Sequence, residues 1–378
     1  MKIEQSIINM YEKTRTTQLK TALQKTSSDI QAFAHPVEGC NGKMWQLPFV
    51  GTTEVNDRTT RHQDIVADEL LMGQRCMRPR LFEKFLAWST DDPKFMAGLA
   101  FNTTTMVKEL GNAATRTKDP VLMGTCIDRN TSSPTNGEYI IQKHNTLFND
   151  AVNGSPYKAG TTGGLLGPNY VGEDGLVQTV ELPFQPYIDG SGLIPDWSKY
   201  TASTHVDLKR TNVIPVNYTL SGTPGGASGL NEVKVMAGVQ ALKARYASGT
   251  ICLAITYKQV LDLMTNEKLQ SILYGHQVLK NGMPDSLMGV RLVVTDALPL
   301  VNVGTTAAPK YVRVCPMWVA EDLIYGVWEN ARFHMKQPDP KIDTLWVGVT
   351  FGLGASRTRE ETVVSILCDE GFTPKSST

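Results

Sequence analysis

The chain has 378 residues, of which 41% are apolar and 20% are charged. This composition is ordinary for a globular protein and excludes a chain that is disordered throughout. The 37 basic and 37 acidic residues cancel, which excludes a protein whose main task is to grip nucleic acid, because such proteins carry a basic excess. At this length we expect roughly two or three domains.

Targeting signals and cysteine chemistry are not expected. No apolar segment follows Met1-Lys2, so the sequence predicts no signal peptide. No run of 18 apolar residues is present, so it predicts no membrane span. The cysteines have neither metal nor redox spacing, which predicts small buried apolar side chains in a reducing compartment. They are Cys40, Cys76, Cys126, Cys252, Cys315 and Cys368.

Residues 1–40 are predicted to form an N-terminal arm. Within residues 1–35, apolar side chains such as Ile3, Ile7 and Leu23 recur at mostly helical spacing. Two interpretations stay open, namely an ordinary N-terminal helix and an arm that packs on a neighbouring subunit.

Residues 44–88, within an extended loop predicted at 41–90, are expected to form a long two-stranded ribbon. The ribbon is apolar at its ends and charged at its tip, where Asp57, Arg58, Arg61 and Asp64 are found. A lone ribbon is marginally stable and its edges attract another chain. We therefore expect Arg58 and Arg61 to pair with carboxylates of neighbouring subunits, and Asp57 and Asp64 to receive their arginines. The alternative is a solvated hairpin end.

A long amphipathic helix is predicted next. Asp91-Asp92-Pro93 is a helix start, and apolar residues follow at i, i+3, i+4 and i+7 spacing to about Lys118. Pro120 is expected to kink the helix, and residues 121–126 are a possible extension.

Residues 130–230 are predicted to be a β-rich insertion or an elaborated loop. They contain 14 of the 32 glycines and eight prolines, a density that disfavours long helices. Residues 176–180 and 213–218 are candidate strands.

From Asn231 onward the pattern alternates between helices and strands. Asn231 is expected to cap a helix, and residues 257–273 are predicted to be mostly helical. Residues 320–328 fit a strand or a helix. The predicted strands are 251–255, 290–294, 311–319, 345–351 and 362–368. Before the last of them lies a charged turn predicted over residues 357–361, which includes Arg357, Arg359, Glu360 and Glu361.

No constellation of catalytic, cofactor-binding or metal-binding residues is found. The six histidines show no HExxH spacing, and no GxSxG nucleophile motif is present. The segment GTTGGLLG at 160–167 lacks the lysine of a phosphate-binding loop. The sequence therefore predicts no enzyme and no cofactor.

The order of these parts resembles the major capsid protein of tailed bacteriophages with the Hong Kong 97-type (HK97-like) α+β fold. Residues 58–64 are similar to that family's arginine-rich loop tip, and Asp92-Pro93 to about Asp119 is similar to its spine helix. Residues 289–295 resemble the second half of its axial domain, and residues 349–369 resemble its closing strands. The resemblance covers the chain outside residues 130–230. The sequence departs from the family pattern where Ile65-Val66 follow Asp64 in place of Thr-Pro.

The resemblance implies a domain division and a structural role. It implies a peripheral domain of residues 91–129 and 336–371, an axial domain of residues 231–335, and a flexible tail of residues 372–378. Subunits would form pentamers and hexamers of an icosahedral shell around phage DNA, assembled in the bacterial host cytoplasm. Implied partners are other copies of the chain, a portal protein, scaffolding and cement proteins, and weakly held double-stranded DNA, with no membrane. The alternatives are a cellular encapsulin-like nanocompartment shell and, from another class, a cytoplasmic α/β enzyme.

Overall fold

The computed structural model describes a large part of the chain, with gaps. The described residues are 27–42, 45–50, 72–77, 79–89, 103–130, 133–141, 146–148, 169–171, 177–179, 185–186, 213–218, 226–244, 247–265, 279–280, 283–284, 286–303, 310–336, 344–359 and 362–372.

The helices among them are α1 Thr103–Met123, α2 Glu232–Lys243 and α3 Tyr257–Met264. The strands are β1 His35–Val37, β2 Trp45–Val50, β3 Met72–Met77, β4 Arg80–Ser89, β5 Thr125–Ile127, β6 Tyr139–Ile141, β7 Asn169–Val171, β8 Val177–Thr179, β9 Gln185–Pro186, β10 Val213–Ile214, β11 Ile251–Ile255, β12 Leu279–Lys280, β13 Met283–Pro284, β14 Ser286–Leu287, β15 Val290–Val294, β16 Leu300–Asn302, β17 Tyr311–Val319, β18 Leu323–Lys336, β19 Thr344–Arg357 and β20 Val363–Cys368.

Two sheets organise the described residues. A four-stranded sheet has the order β1-β18-β19-β4, and a seven-stranded sheet has the order β10-β20-β17-β11-β15-β14 with β16 beside β17. In the larger sheet β11 and β15 run parallel, whereas β17 runs antiparallel to both β11 and β20. All residues of β11 and β20 are buried, as expected for strands covered on both faces.

Helix α1 covers one face of the four-stranded sheet because both elements present apolar residues at the matching period. Met106 and Leu110, four residues apart on α1, pack with Val347 and Val349, two residues apart on β19. Phe351 and Leu353 continue the buried alternation along β19. The predicted one-sided pattern of residues 345–351 is thus confirmed, and the strand runs further than predicted.

The spine helix differs from its prediction at its C-terminal end. It continues to Met123 with Pro120 inside it, and Thr125–Ile127 then forms β5. Its predicted start at Asp91-Asp92-Pro93 lies outside the described residues. Asn231 caps α2 as predicted, since its side-chain oxygen accepts a hydrogen bond from Lys234 N.

Two strand pairings cross the predicted boundary between the axial and peripheral segments. β18, placed in the axial segment 231–335, pairs with β19 in the four-stranded sheet. β20, placed in the peripheral segment, pairs with β17 in the seven-stranded sheet. Residues 320–328, which the pattern left undecided, contain a short 3-10 turn over Ala320–Asp322 and then the start of β18. The chain changes sheets at this turn and changes back between β19 and β20.

Residues near both ends of the predicted insertion, 130–230, pack into the core, and we call these two ends its roots. At one root, Leu147 and Phe148 are fully buried. At the other, β10 pairs in parallel with β20, and Ile214 is buried. Between these roots the described residues form only the short strands β7, β8 and β9, which agrees with the predicted lack of long helices for the described part.

One hairpin of the larger sheet carries backbone strain. Met288 (φ 53°) and Gly289 (φ 78°) form the two-residue turn between β14 and β15, where Leu287 pairs with Val290. Two positive φ values are typical of a type I′ turn, which favours Asn-Gly. Residues other than glycine, asparagine and aspartate are disfavoured at such a φ.

We therefore expect Met288→Asn to raise the free energy of unfolding by about 1 kcal/mol. Chemical denaturation of the dissociated subunit measures this change. The control is Met236→Asn on α2, where asparagine is a poorer helix former and no gain is expected. A lower stability of Met288→Asn would contradict the assignment of strain to this turn.

Candidate inter-subunit surfaces

The foot of the predicted ribbon contains the expected antiparallel pair of strands, but a third strand joins this pair and the ribbon ends earlier than predicted. β2 and β3 pair antiparallel from Trp45 opposite Met77 to Val50 opposite Met72. Residues 80–88, predicted as the end of the ribbon, instead lie in β4 beside β19. β3 also pairs with β9 of the insertion. The tip residues Asp57, Arg58, Arg61 and Asp64 lie outside the described residues.

The ribbon foot is attached to the four-stranded sheet on the face opposite α1, which we call the outer sheet face. A Cβ atom at Gly326 of β18 would overlap Cys40 Sγ and would lie 2.9 Å from Met77 Cε. Met77 is buried, and Trp328 Nε1 donates a hydrogen bond to Gly42 O at 3.0 Å. A glycine at 326 thus makes room for the foot.

Glycines also make room for larger side chains along β19 on the outer sheet face. On β19, Gly348 and Gly352 are separated by an even number of residues and therefore share one face of the strand. They lie opposite Phe85 and Leu81 of β4. A Cβ at Gly348 would overlap the Phe85 ring, and one at Gly352 would lie 3.1 Å from Leu81 Cδ2. The glycines therefore allow apolar side chains of β4 to lean over the middle strand.

The outer sheet face remains partly uncovered beyond the ribbon foot. Leu81 is 76% exposed, and Phe85 and Trp346 are each 40% exposed. The rings of Phe85 and Trp346 lie 6.4 Å apart. Close by, His334 Nε2 and Thr350 Oγ1 form a 2.8 Å hydrogen bond. The outer sheet face is therefore an exposed apolar surface with a polar pair, His334 and Thr350, beside it.

Exposed apolar side chains concentrate in this sheet. Among the described residues, eleven large apolar side chains are exposed, and six of them belong to the four-stranded sheet. The six are Leu81, Phe85, Val327, Phe333, Met335 and Trp346. They lie on both faces of the sheet, because Phe333 and Met335 stand opposite Val349 and Val347, which pack against α1. Exposed apolar side chains on a sheet are candidates for interaction sites.

The N-terminal arm has a fixed root. Ser28 Oγ donates a hydrogen bond to Asp119 Oδ1 of α1, and Trp318 Nε1 donates one to Phe33 O at 3.1 Å. Ile30 is fully buried. Residues 1–26, on which the two interpretations of the arm depend, lie outside the described residues.

Arg313 of β17 links several segments near the root of the insertion. Its Nε donates to Glu370 Oε2 at 3.0 Å, and its Nη1 donates to Leu298 O at 2.8 Å. Its Nη2 lies 3.3 Å from Glu138 Oε2, just before β6. The side chains of Arg313 and Glu370 are only 10% and 11% exposed. The network therefore joins the insertion root to the larger sheet.

Glu370 extends the network to α3. Its Oε1 accepts hydrogen bonds from Gln259 Nε2 at 2.6 Å and from Thr256 Oγ1 at 3.1 Å. Thr256 and Gln259 form the capping box of α3. Glu370 thus receives donors from both the arginine and the helix start.

A family model described as phage capsid protein matches residues 7–157 and 189–370. The chain belongs to this phage capsid protein family. No curated protein sequence matches the chain significantly.

Solved phage capsid structures share the fold of this capsid protein. They include the capsid of cyanophage Pam1 (TM-score 0.57, 9% identity, covering 94% of this chain and 96% of that chain). The capsid of Ralstonia phage GP4 gives a TM-score of 0.54 at 11% identity and covers 96% of both chains. The capsid of cyanophage P-SCSP1u gives 0.54 at 11% identity, covering 94% of this chain and 92% of that one. The α+β Hong Kong 97-type fold predicted from the sequence is confirmed.

The family match also decides between the open functions. The capsid protein is a component of the virion shell, and neither the nanocompartment shell nor the cytoplasmic enzyme is favoured. None of the described helices has the length and apolar character needed to span a bilayer. Within the described ranges, no group of three His, Cys, Asp or Glu side chains is arranged to hold a metal ion.

The predicted charged turn needs correction at Arg357. This residue is the last of β19 and is fully buried, and its Nη1 donates to Thr146 O at 3.1 Å. Arg359 does lie in the turn, where its Nε donates to Asp322 Oδ1 at 3.0 Å. Glu360 and Glu361 lie outside the described residues. Through Asp322, Arg359 stabilises the segment in which the chain passes from one sheet to the other. Arg357 binds the backbone at the insertion root.

The predicted burial of the cysteines is confirmed at four of the six positions. Cys40, Cys252, Cys315 and Cys368 are buried and free, whereas Cys126 is half-buried and the Cys76 side chain lies outside the described residues. Burial raises the pKa of the Cys252 thiol to about 12. A thiol with so little thiolate at neutral pH is a poor nucleophile.

Proposed function

We propose that this capsid protein assembles into pentamers and hexamers that close into an icosahedral shell around phage DNA. The observation that carries the proposal is the family match, which spans most of the chain and includes the ribbon, α1 and both sheets. The apolar side chains exposed on the four-stranded sheet support it, because neighbouring copies can bury them.

The ribbon is assigned to contacts between subunits. Its foot is anchored to the four-stranded sheet through Met77 and Cys40. We assign Arg58 and Arg61 to carboxylates of neighbouring copies, and Asp57 and Asp64 to their arginines. Each exposed pair contributes only about 0.2–1 kcal/mol. Repetition over a shell adds many such contacts, while single mispairings can dissociate.

The remaining partners follow from the same role. Assembly would take place in the host cytoplasm, and the further partners would be a portal protein and, where the phage encodes them, scaffolding or cement proteins. Contact with packaged double-stranded DNA would be weak and independent of sequence, because the chain has no net charge.

We expect the double variant Arg58→Glu/Arg61→Glu to lose shell assembly while its subunit stays folded, because the reversed charges repel the carboxylates that the arginines would pair with. Sedimentation measures assembly, and circular dichroism of the dissociated subunit measures folding. The matched control reverses two exposed basic residues elsewhere, Arg129→Glu/Lys243→Glu, and should assemble. Normal shells from the Arg58→Glu/Arg61→Glu variant would contradict the assignment of the ribbon tip.

A further inference from the structure

We propose that residues 369–372, which follow β20, form a strap that couples the insertion to α3, so that the two regions open and close together. The strap is bound to the start of β17, to the start of α3 and to the second root of the insertion, and it reaches the first root through Arg313. The coupling is a property of the single subunit and goes beyond the proposed function, which concerns contacts between subunits.

The strap is fixed to the start of β17 at both of its ends. Asp369 Oδ2 lies 3.0 Å from Lys310 Nζ in an ion pair. The ring of Phe372 packs edge-on against the ring of Tyr311, with the ring centroids 5.8 Å apart. Glu370 is therefore held between two anchored residues.

Glu370 joins the strap to the start of α3. Gln259 is fully buried, and its Oε1 accepts a hydrogen bond from Thr256 N at 2.8 Å while its Nε2 donates to Glu370 Oε1 at 2.6 Å. The capping box at the start of α3 is thus oriented by a carboxylate of the strap. If Glu370 moves away, a buried amide N–H loses an acceptor, which is unfavourable.

The same carboxylate connects the strap with the first root of the insertion. Arg313 Nε donates to Glu370 Oε2 at 3.0 Å, and Arg313 Nη2 lies 3.3 Å from Glu138 Oε2. The backbone of Glu138 belongs to the hairpin of β5 and β6, where its O accepts a hydrogen bond from Asp128 N at 2.8 Å. A shift of this hairpin would therefore move a partner of Arg313.

The backbone of the strap binds the second root. Asp369 N donates to Ser228 O at 3.1 Å, and Ser228 N donates to Val216 O, just after β10, at 3.1 Å. Lys234 is fully buried at this junction, and its Nζ donates to Ser228 O at 2.8 Å and to Leu367 O at 2.9 Å. Among the described strands, β10 pairs with β20 alone. The second root is therefore hydrogen-bonded to β20 and to the strap.

Burial of the central ion pair explains why these contacts would open as a group. The side chains of Arg313 and Glu370 are only 10% and 11% exposed. A buried carboxylate that loses some of its donors is strongly unfavourable, so its hydrogen bonds form and break together. Loosening at one end of the network is therefore expected to reach the other end.

Hydrogen exchange of dissociated full-length subunits, measured by peptide mass spectrometry, tests the coupling. In Glu370→Ala we expect exchange to be at least about tenfold faster in residues 256–264 of α3 and also in the root segments 138–141 and 213–218, because hydrogen bonds to a charged group are lost. Residues 344–357 of β19 should keep their wild-type rates.

Glu138→Ala tests the coupling from the side of the insertion, and this variant is expected to fold because the Glu138 side chain is 32% exposed. It should speed exchange in residues 256–264 by about threefold, as expected for the loss of a partly exposed ion pair. The matched control, Lys258→Ala, breaks the ion pair of Lys258 with Asp262 within α3. It should speed exchange in α3 and leave both roots unchanged.

Faster exchange confined to α3 in Glu370→Ala, or confined to residues 138–141 in Glu138→Ala, would overturn the proposal, because the strap would then be a set of independent local contacts. If Glu370→Ala does not fold, the result for Glu138→Ala decides by itself. All of these measurements use single subunits. Failure of the wild-type chain to form shells would therefore contradict the proposed function without contradicting the strap.

Discussion

Replacement of Arg313 by methionine is expected to lower the free energy of unfolding by about 3–5 kcal/mol, the range for breaking a buried ion pair by removing one partner. The methionine would retain much of the apolar volume but would leave Glu370, at 11% exposure, without its cation, and Leu298 O without its donor. Chemical denaturation of the dissociated subunit measures the loss.

Two further variants separate the charge effect from simple packing. Arg332→Met removes an arginine from an exposed pair and should leave the denaturation midpoint unchanged. Arg313→Met/Glu370→Gln should recover part of the loss, because no buried charge is then unpaired and the new side-chain amide can still accept from Gln259 and Thr256. A double variant that is less stable than Arg313→Met would contradict this account of the network.

Gly348→Ala is expected to lower the free energy of unfolding by about 1–3 kcal/mol, as inserted methyl groups do in packed positions, and to block shell assembly. The new Cβ would overlap the Phe85 ring and lie 2.8 Å from its Cγ. The ring cannot avoid this contact by a small movement of its far end, so Phe85 must leave its place on the outer sheet face.

The matched control applies the same substitution to a helix. Gly111 lies within α1, and an added Cβ would meet only Phe333 Cζ at 3.9 Å, an ordinary contact. Gly111→Ala should therefore raise the free energy of unfolding by about 0.5–1 kcal/mol, the usual gain in a helix interior. Thermal unfolding and sedimentation measure both variants. Normal stability and normal shells from Gly348→Ala would show that Phe85 is not held over the glycine.

Elements with a strong periodic pattern were predictable from the sequence. The alternation from Leu345 to Phe351 predicted a strand with one covered face, and Val347 and Val349 are buried under α1. Asn231 predicted a helix start, and it caps α2. In each case a local rule of geometry or capping determines the outcome.

Buried charges were missed because the prediction placed charged residues on the surface. Arg357 continues the alternation of Phe351 and Leu353 on the covered side of β19, so extending the strand pattern could have found it. Lys234 gave no such signal. It is fully buried on α2, and its Nζ donates to Ser228 O, Gly229 O and Leu367 O at 2.8–3.0 Å.

The sequence pattern also did not predict which sheet each strand joins. Nothing in the sequence of β18 or of β20 shows whether its partner is β19 or β17. The pairing of β20 with β17 passes over β18 and β19 in the chain. The predicted boundary at residue 335 fell within β18, which pairs with β19. The outer sheet face was missed for a related reason, since Leu81, Phe85 and Trp346 come together only when β4 pairs with β19.

The most direct test of the central claim is electron microscopy of the purified chain under assembly conditions, paired with sedimentation of the same sample. The account predicts closed shells, tubes or capsomer rings formed by this chain alone, since copies must cover the surface that one subunit leaves in water. A uniform population of monomers or dimers would contradict it.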